Sequence, residues 1–365
     1  MSRQMQDGRY SEALSLCDRI LADAADDFDV QYSRALALYQ LKRYQESAAA
    51  LGALLSQRPA SPELHYLRGC ALHFMGHYAL AQADFDQAVA QQPNDAQYVL
   101  GRAQTWLARG RFTEALADLN TAIALQPDDA SLYIYRAATH YDLGDYLDAM
   151  RDASKALELG YVRVRPYMIR GKAAQMLGRL PESIADFDAV IALDRRDSEA
   201  HALRGSSYAS LQRWDEALRD YSTALKINPS QADVLFRRGV VYLWRAAPGD
   251  ILEARRDFSE LLRLDPTLVD AHLYRAIAYY GLKKLDRAQE DLWTYINFDH
   301  VHGHHEVMAN QWLIVVQMAL GRTDDARDHV RMVQAFHPEL ASTPNTTPLW
   351  GAAEDDLLRQ AFALL

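Results

Sequence analysis

The side chains best equipped for chemistry sit close together near the C-terminal end. His300, His302, His304 and His305 are four of the twelve histidines, packed into six residues. Imidazoles at this density are potential metal ligands, with Asp299 or Glu306 as further donors. Three or four of them must converge tetrahedrally to hold zinc. The competing reading is an exposed polar loop, which leaves His302, His304 and His305 as minor candidates and no metal or cofactor in the main expectation. His305-Glu306 opens a zincin-like string, but Ala309 stands where its second histidine belongs. Glycine-rich phosphate loops and nucleophile elbows are missing too, so the chain reads as a non-enzyme. Cys17 and Cys70 lie too far apart in sequence to suggest a disulfide framework.

Charged residues recur with a step that chemistry alone does not explain. Arg34, Arg68, Arg102, Arg136, Arg170, Arg204 and Arg238 are 34 residues apart, and Arg275 follows after 37. Each precedes an Ala or a Gly. An aspartate ladder runs in parallel, Asp84, Asp118, Asp152, Asp186, Asp220, Asp257 and Asp291. In most units the Asp lies 16 residues after the Arg. An arginine row can be a ligand array. Pairing within the unit, however, leaves only Arg34 unmatched, and residues 307–340 lose both partners together, with Leu313 and His329 in their places. The spacing therefore predicts structural ion pairs Arg68–Asp84 through Arg275–Asp291, partly buried, fixing register more than adding stability.

The elements that position these ladders follow from the same period. In residues 62–93, Leu67, Ala71, Leu72 and Met75 recur at helix-face spacing, Gly76 intervenes, Tyr78, Ala81, Phe85, Ala88 and Val89 continue, and Pro93 stops the run. That is two antiparallel helices around a glycine turn. Ala81, Ala115, Ala149, Ser183, Ala217, Ala254 and Ala288 mark where the helices cross closely. No pair buries its apolar face alone, so the expected fold is all-α, a right-handed α-solenoid of stacked antiparallel helix pairs. The predicted organisation is a solenoid over 1–338. It comprises a half-unit at 1–25 and repeats near 28–61, 62–95, 96–129, 130–163, 164–197, 198–231, 232–268, 269–302 and 307–340. A loop and capping helix over 339–365 complete it, with Leu357, Leu358, Ala361 and Phe362 on the inner side. Three extra residues near Ala246-Ala247-Pro248 lengthen one turn, and an insertion occupies 300–305.

The 34-residue step, the small residue in the first helix, Gly-x-Tyr turns such as Gly76-His77-Tyr78 and Gly144-Asp145-Tyr146, and the closing proline resemble the tetratricopeptide repeat family from about Gly8 to Pro338. The resemblance implies a protein–protein interaction scaffold that holds a partner peptide or domain on the concave surface formed by first helices. It places Tyr32, Tyr39, Tyr66, His73, Gln104, Tyr135, Tyr141, Arg165, Lys172 and Phe236 in that groove. Aromatic anchors with a few cations suit a partner bearing apolar side chains and an acidic residue. The Lys/Asn/Arg clamp of co-chaperones that read acidic C-termini is absent, because its positions hold Glu63, Leu67, Gln97, Gly101, Ser131 and Tyr135. Residues 271–292 are similar to the end of the bacterial lipoprotein NlpI. A dedicated chaperone or adaptor of a bacterial secretion or envelope complex is accordingly the alternative function.

Composition narrows the partners. A net charge of −10 argues against nonspecific nucleic-acid binding, and no apolar stretch approaches the ~20 residues of a membrane helix. Residues 1–10 lack the apolar core of a signal peptide. A cytoplasmic protein is expected, or a periplasmic one if a leader has been removed. The apolar face left by the half-unit at Gly8–Ile20 makes a homodimer a further expectation.

Overall fold

The structure, a computed structural model, describes residues 8–298, 304–334 and 350–363. The chain separates into two compact units, 1–177 and 178–365. In the first, α1 (Tyr10–Asp23) is followed by the pairs α2 (Phe28–Gln40) and α3 (Tyr44–Gln57), α4 (Pro62–Phe74) and α5 (Tyr78–Gln91), α6 (Ala96–Ala108) and α7 (Phe112–Leu125), and α8 (Ala130–Leu143) and α9 (Tyr146–Glu158). Helix α10 (Val164–Met176) closes that unit. The second holds α11 (Leu180–Leu193), then α12 (Ser198–Ser210) with α13 (Trp214–Ile227), α14 (Ala232–Arg245) with α15 (Asp250–Leu264), and α16 (Asp270–Gly281) with α17 (Leu285–Ile296). It continues through α18 (His304–Ala319), α19 (Thr323–Gln334) and α20 (Ala352–Phe362). Every element among the described residues is helical, and none is long and apolar enough to cross a membrane.

The two helices of a pair start differently. Five first helices open on an acidic or hydroxyl cap that accepts from a free N–H of the first turn, whereas α10, α14 and α16 follow Arg163, Gln231 and Val269 without one. Asp27 accepts from Val30 at 3.1 Å, Ser61 from Leu64 at 3.3 Å, Asp129 from Ser131 at 2.8 Å and Asp197 from Ala200 at 2.9 Å. Second helices emerge from the tight turn without a side-chain cap.

Packing within a pair is matched in size. Where the Arg is followed by Gly, the facing residue on the second helix is aromatic: a Cβ on Gly69 would lie 3.1 Å from the Phe85 ring, and one on Gly239 only 2.7 Å from Phe258. Where Ala follows, the facing residue is aliphatic, as in Ala103 with Leu119 and Ala276 with Leu292, all at most 1% exposed. Close-packed interiors impose this exchange of volume across the crossing point. The small-residue row, which Ser47 extends one period toward the N-terminus, is fully buried, and its two hydroxyls are satisfied. Ser47 donates to the Ala35 carbonyl at 2.9 Å, and Ser183 lies 2.9 Å from Ser207.

The lengthened turn is built around Asp250. Arg245 donates to both its carboxylate oxygens at 2.8 and 2.6 Å, and the Ala247 N–H donates at 2.9 Å. At the other end of that unit α18 is sheathed by α17, α19 and α20. Trp312 meets Trp350 edge-on at 5.0 Å, and Tyr280 donates to Glu354 at 2.9 Å. Leu358 and Ala361 of α20 are buried, with Leu357 and Phe362 packed alongside.

Candidate interaction groove

The arginine ladder is bidentate. Arg68 donates to Asp84 through Nε and Nη2 at 2.8 and 2.7 Å, and Arg102–Asp118, Arg136–Asp152, Arg204–Asp220, Arg238–Asp257 and Arg275–Asp291 repeat the geometry. The aspartates are buried and the arginines half-buried. Arg170 and Asp186 fall in different units. The arginines also reach backward by 16 residues through the remaining nitrogen: Arg102 to Asp86 at 3.4 Å, Arg136 to Asn120 at 2.7 Å, Arg170 to Ser154 at 2.9 Å, Arg238 to Ser222 at 3.1 Å, and Arg204 to Asp188. Arg34, left unmatched by the sequence, uses this backward position and donates to Asp18 at 2.6 Å.

Three units add a histidine to the pair. His65, His201 and His272 place Nδ1 at 2.8, 3.2 and 3.0 Å from Asp84, Asp220 and Asp291. The difference registers in the carboxyls. Burial pushes Asp291 up, but hydrogen bonds from Arg275 and His272 outweigh it and the group sits below its ordinary value. Asp257 has Leu235 where the histidine would be, and there burial outweighs Arg238 and raises the carboxyl. In α18–α19 the arginine is Leu313 and the aspartate is His329, which lies 3.0 Å through Nε2 from Asn310 at the histidine position. Burial drives His329 down to about 4, so it is neutral.

In the first unit the groove residues expected from the resemblance divide into three groups. Tyr66, Cys70 and Gln104 line one pocket of about 290 Å³ with Leu100, Gln97 and Asp129. Its floor is Gly101, where a Cβ would stand 2.6 Å from the Phe85 ring, so only glycine lets α6 settle there. Tyr66 is braced against Tyr98 with ring centres 4.9 Å apart, and burial pushes the Cys70 thiol up to about 11. Beside it Tyr32 donates to Glu63.

Tyr39, which also hydrogen-bonds Cys70, and His73 join an aromatic cluster at the turns. Tyr44 and Phe74 stack at 5.0 Å, Tyr39 meets Tyr44 edge-on at 5.5 Å, and Phe74 is 60% exposed. His73 also lies 3.1 Å from the Thr105 hydroxyl. Further along, exposed Arg165 stands over the Tyr135 ring at 5.2 Å, Tyr141 meets Tyr146 at 5.5 Å, and Lys172 is half-buried. Phe236 is in the other unit, edge-on to Tyr274 at 5.2 Å.

Gln126 and Asp129 were not singled out in the sequence, and Gln97 only as a residue standing where the co-chaperone clamp would be. Their signal is a run of amide and carboxylate residues at successive helix starts and ends beside Gln104. Such amides donate and accept together, as a peptide backbone does. Of the metal candidates, His302 lies outside the described residues, as do the side chains of His304 and His305. No group of three or more His, Cys, Asp or Glu that could hold a metal occurs among the described residues.

Three sequence models, each described as a tetratricopeptide or TPR repeat, match this chain, over 4–69, over 66–130 and 135–201, and over 205–243. No curated protein matches it, and the likeness of 271–292 to NlpI gains no support. Among solved structures, the C-terminal part of a TPR repeat-containing protein of Cytophaga hutchinsonii superposes with a TM-score of 0.56 at 16% identity, over 66% of this chain and 97% of that one. A tetratricopeptide repeat protein from Parabacteroides merdae gives 0.51 at 18%, over 69% and 98%. The APC/C hetero-tetramer Cut9–Hcn1 gives 0.50 at 18%, over 76% of this chain and 54% of that one. At these identities the superpositions speak to the fold alone.

Proposed function

The chain belongs to the tetratricopeptide repeat family, and from that premise we propose that it is a non-enzymatic scaffold holding an extended segment of a partner protein against the pocket of Tyr66, Gln97, Leu100 and Gln104. The observation that supports this reading is the pairing of amide side chains with an apolar wall in one concavity. The amides of Gln97 and Gln104 match a partner's backbone N–H and C=O, and the Tyr66 and Leu100 side chains receive one apolar side chain. Arg165 over Tyr135, in the same unit, supplies a cation for an acidic residue of that segment.

Selection of a random peptide library on the immobilised full-length chain tests the reading. Enriched peptides should bind at least ~10-fold more weakly to Gln104→Ala, given the usual size of hot-spot losses, while its helical signal and melting temperature stay near wild type, and Tyr66→Ala should weaken them as much at temperatures below its lowered melting point. Peptides that bind both variants as tightly as the wild type would exclude this pocket.

A further inference from the structure

A cavity of about 1020 Å³ lies in the second unit between α14, the α15–α16 connection and the end of α17. It is separate from the glutamine-lined pocket and has a different chemistry. Three aromatic side chains line it: Phe236, Tyr295 and Phe298. So do three carboxylates, Asp233, Asp265 and Asp270, against a single cation, Arg237. The rest of the wall is largely aliphatic, with Leu261, Leu268 and Val269.

The site lies against the C-terminal end of α17. Its aromatic members are held in place. Phe236 packs edge-on to both Phe258 and Tyr274, with ring centres 5.9 and 5.2 Å apart, and the Tyr295 hydroxyl donates to Asp270 at 3.3 Å. Phe298 remains 40% exposed at the mouth. The negative charge persists at neutral pH: hydrogen bonds from the Thr267 hydroxyl, at 2.6 Å, and from its N–H, at 2.9 Å, keep the Asp265 carboxyl below its ordinary value.

We infer that this cavity is a binding site for a small organic cation, an ammonium carried on an apolar body. Aromatic faces attract cations through the ring quadrupole, and the net carboxylate charge adds a field of the same sense. An anionic ligand would meet that field with the wrong sign. A neutral apolar ligand would desolvate the carboxylates with nothing in return. The volume suits a ligand of drug-like size or smaller.

Calorimetric titration of the full chain with phenethylammonium, 2-phenylethanol and phenylacetate, three probes of one shape and three charges, tests the assignment. The cation should bind in the millimolar range or tighter, with the alcohol and the acid at least ~10-fold weaker, and its affinity should fall as salt is raised. Asp233→Asn, at an exposed position, and Phe298→Leu, which keeps the apolar bulk but removes the ring face, should each weaken the cation ~3–10-fold with an unchanged melting temperature. Equal affinity for the alcohol would make the cavity merely apolar. Absence of cation binding, or binding indifferent to both substitutions, would overturn the site altogether.

Discussion

The Arg204–Asp220 pair of α12–α13 and the Asn310–His329 pair of α18–α19 occupy the same place in two repeats and fill it in opposite ways. In the first, a bidentate guanidinium at 2.7 and 2.6 Å neutralises a buried carboxylate, with His201 as a third member at 3.2 Å. In the second, no charge is present: Leu313 takes the arginine position, and a neutral imidazole 3.0 Å from the Asn310 side-chain oxygen takes the carboxylate position. Trp293 closes over that imidazole edge-on at 5.4 Å. The two solutions show that this position can hold a buried polar contact with or without an ion pair.

That comparison can be broken most forcefully at its charged end. Arg204→Ala should cost about 3 kcal/mol in denaturant unfolding, because it strands the buried Asp220 charge. Arg34→Ala, whose partner Asp18 has a side chain 51% exposed, should cost under about 1 kcal/mol. Equal losses would mean that burial does not set the value of these pairs. Acid should separate the two ends in the reverse sense. His329 is held neutral in the fold, so the unfolded chain takes up this proton first as pH falls below the ordinary imidazole value. Stability of the second unit should then decline between about pH 6.5 and 4, by on the order of 2 kcal/mol, and level off below. In His329→Gln this slope should vanish, as read by thermal melts across that range. A smaller effect is expected at the third member of the charged pair. His272→Ala should cost about 1 kcal/mol and move the Asp291 carboxyl upward, toward the behaviour of Asp257, in a carboxyl-carbon NMR titration. The smallest belongs to the turns. Lys42, Gln212 and Lys283 adopt the left-handed backbone that Gly76, Gly110 and Gly144 adopt elsewhere. Lys42→Gly should stabilise by roughly 0.5–1 kcal/mol, and a loss would show that the lysine side chain contributes more than its strain costs.

The alternation of helices was legible in the sequence because one period organises apolar residues, turn glycines and prolines together. The forward Arg–Asp spacing was legible for the same reason, since both residue types are constant. The backward contact was not. Its acceptors, Asp18, Asp86, Asn120, Ser154, Asp188 and Ser222, share a position and a hydrogen-bonding capacity but no single residue type. The last repeat looked degenerate because Asn310 and His329, 19 apart, acquire meaning only as a pair. Among the residues that the family resemblance placed in a groove, Tyr66 and Gln104 line one pocket. The resemblance could not reveal Gln126 and Asp129, which enter the same pocket from the end of one helix and the start of the next. Tyr39 and His73 also meet ring neighbours across the turns, Tyr44 and Tyr78.

The backward reach of the arginines has one gap in the first unit. Sixteen residues before Arg68 stands Gly52, whose Cβ position is 3.5 Å from the Arg68 Nη1 and which offers no side chain to hold it. Each filled backward contact ties one helix pair to the pair before it; between α3 and α4 that polar tie gives way to apolar packing, where Leu51, Leu54 and Leu55 meet Leu64, so the junction is held by a greasy seam rather than a bond.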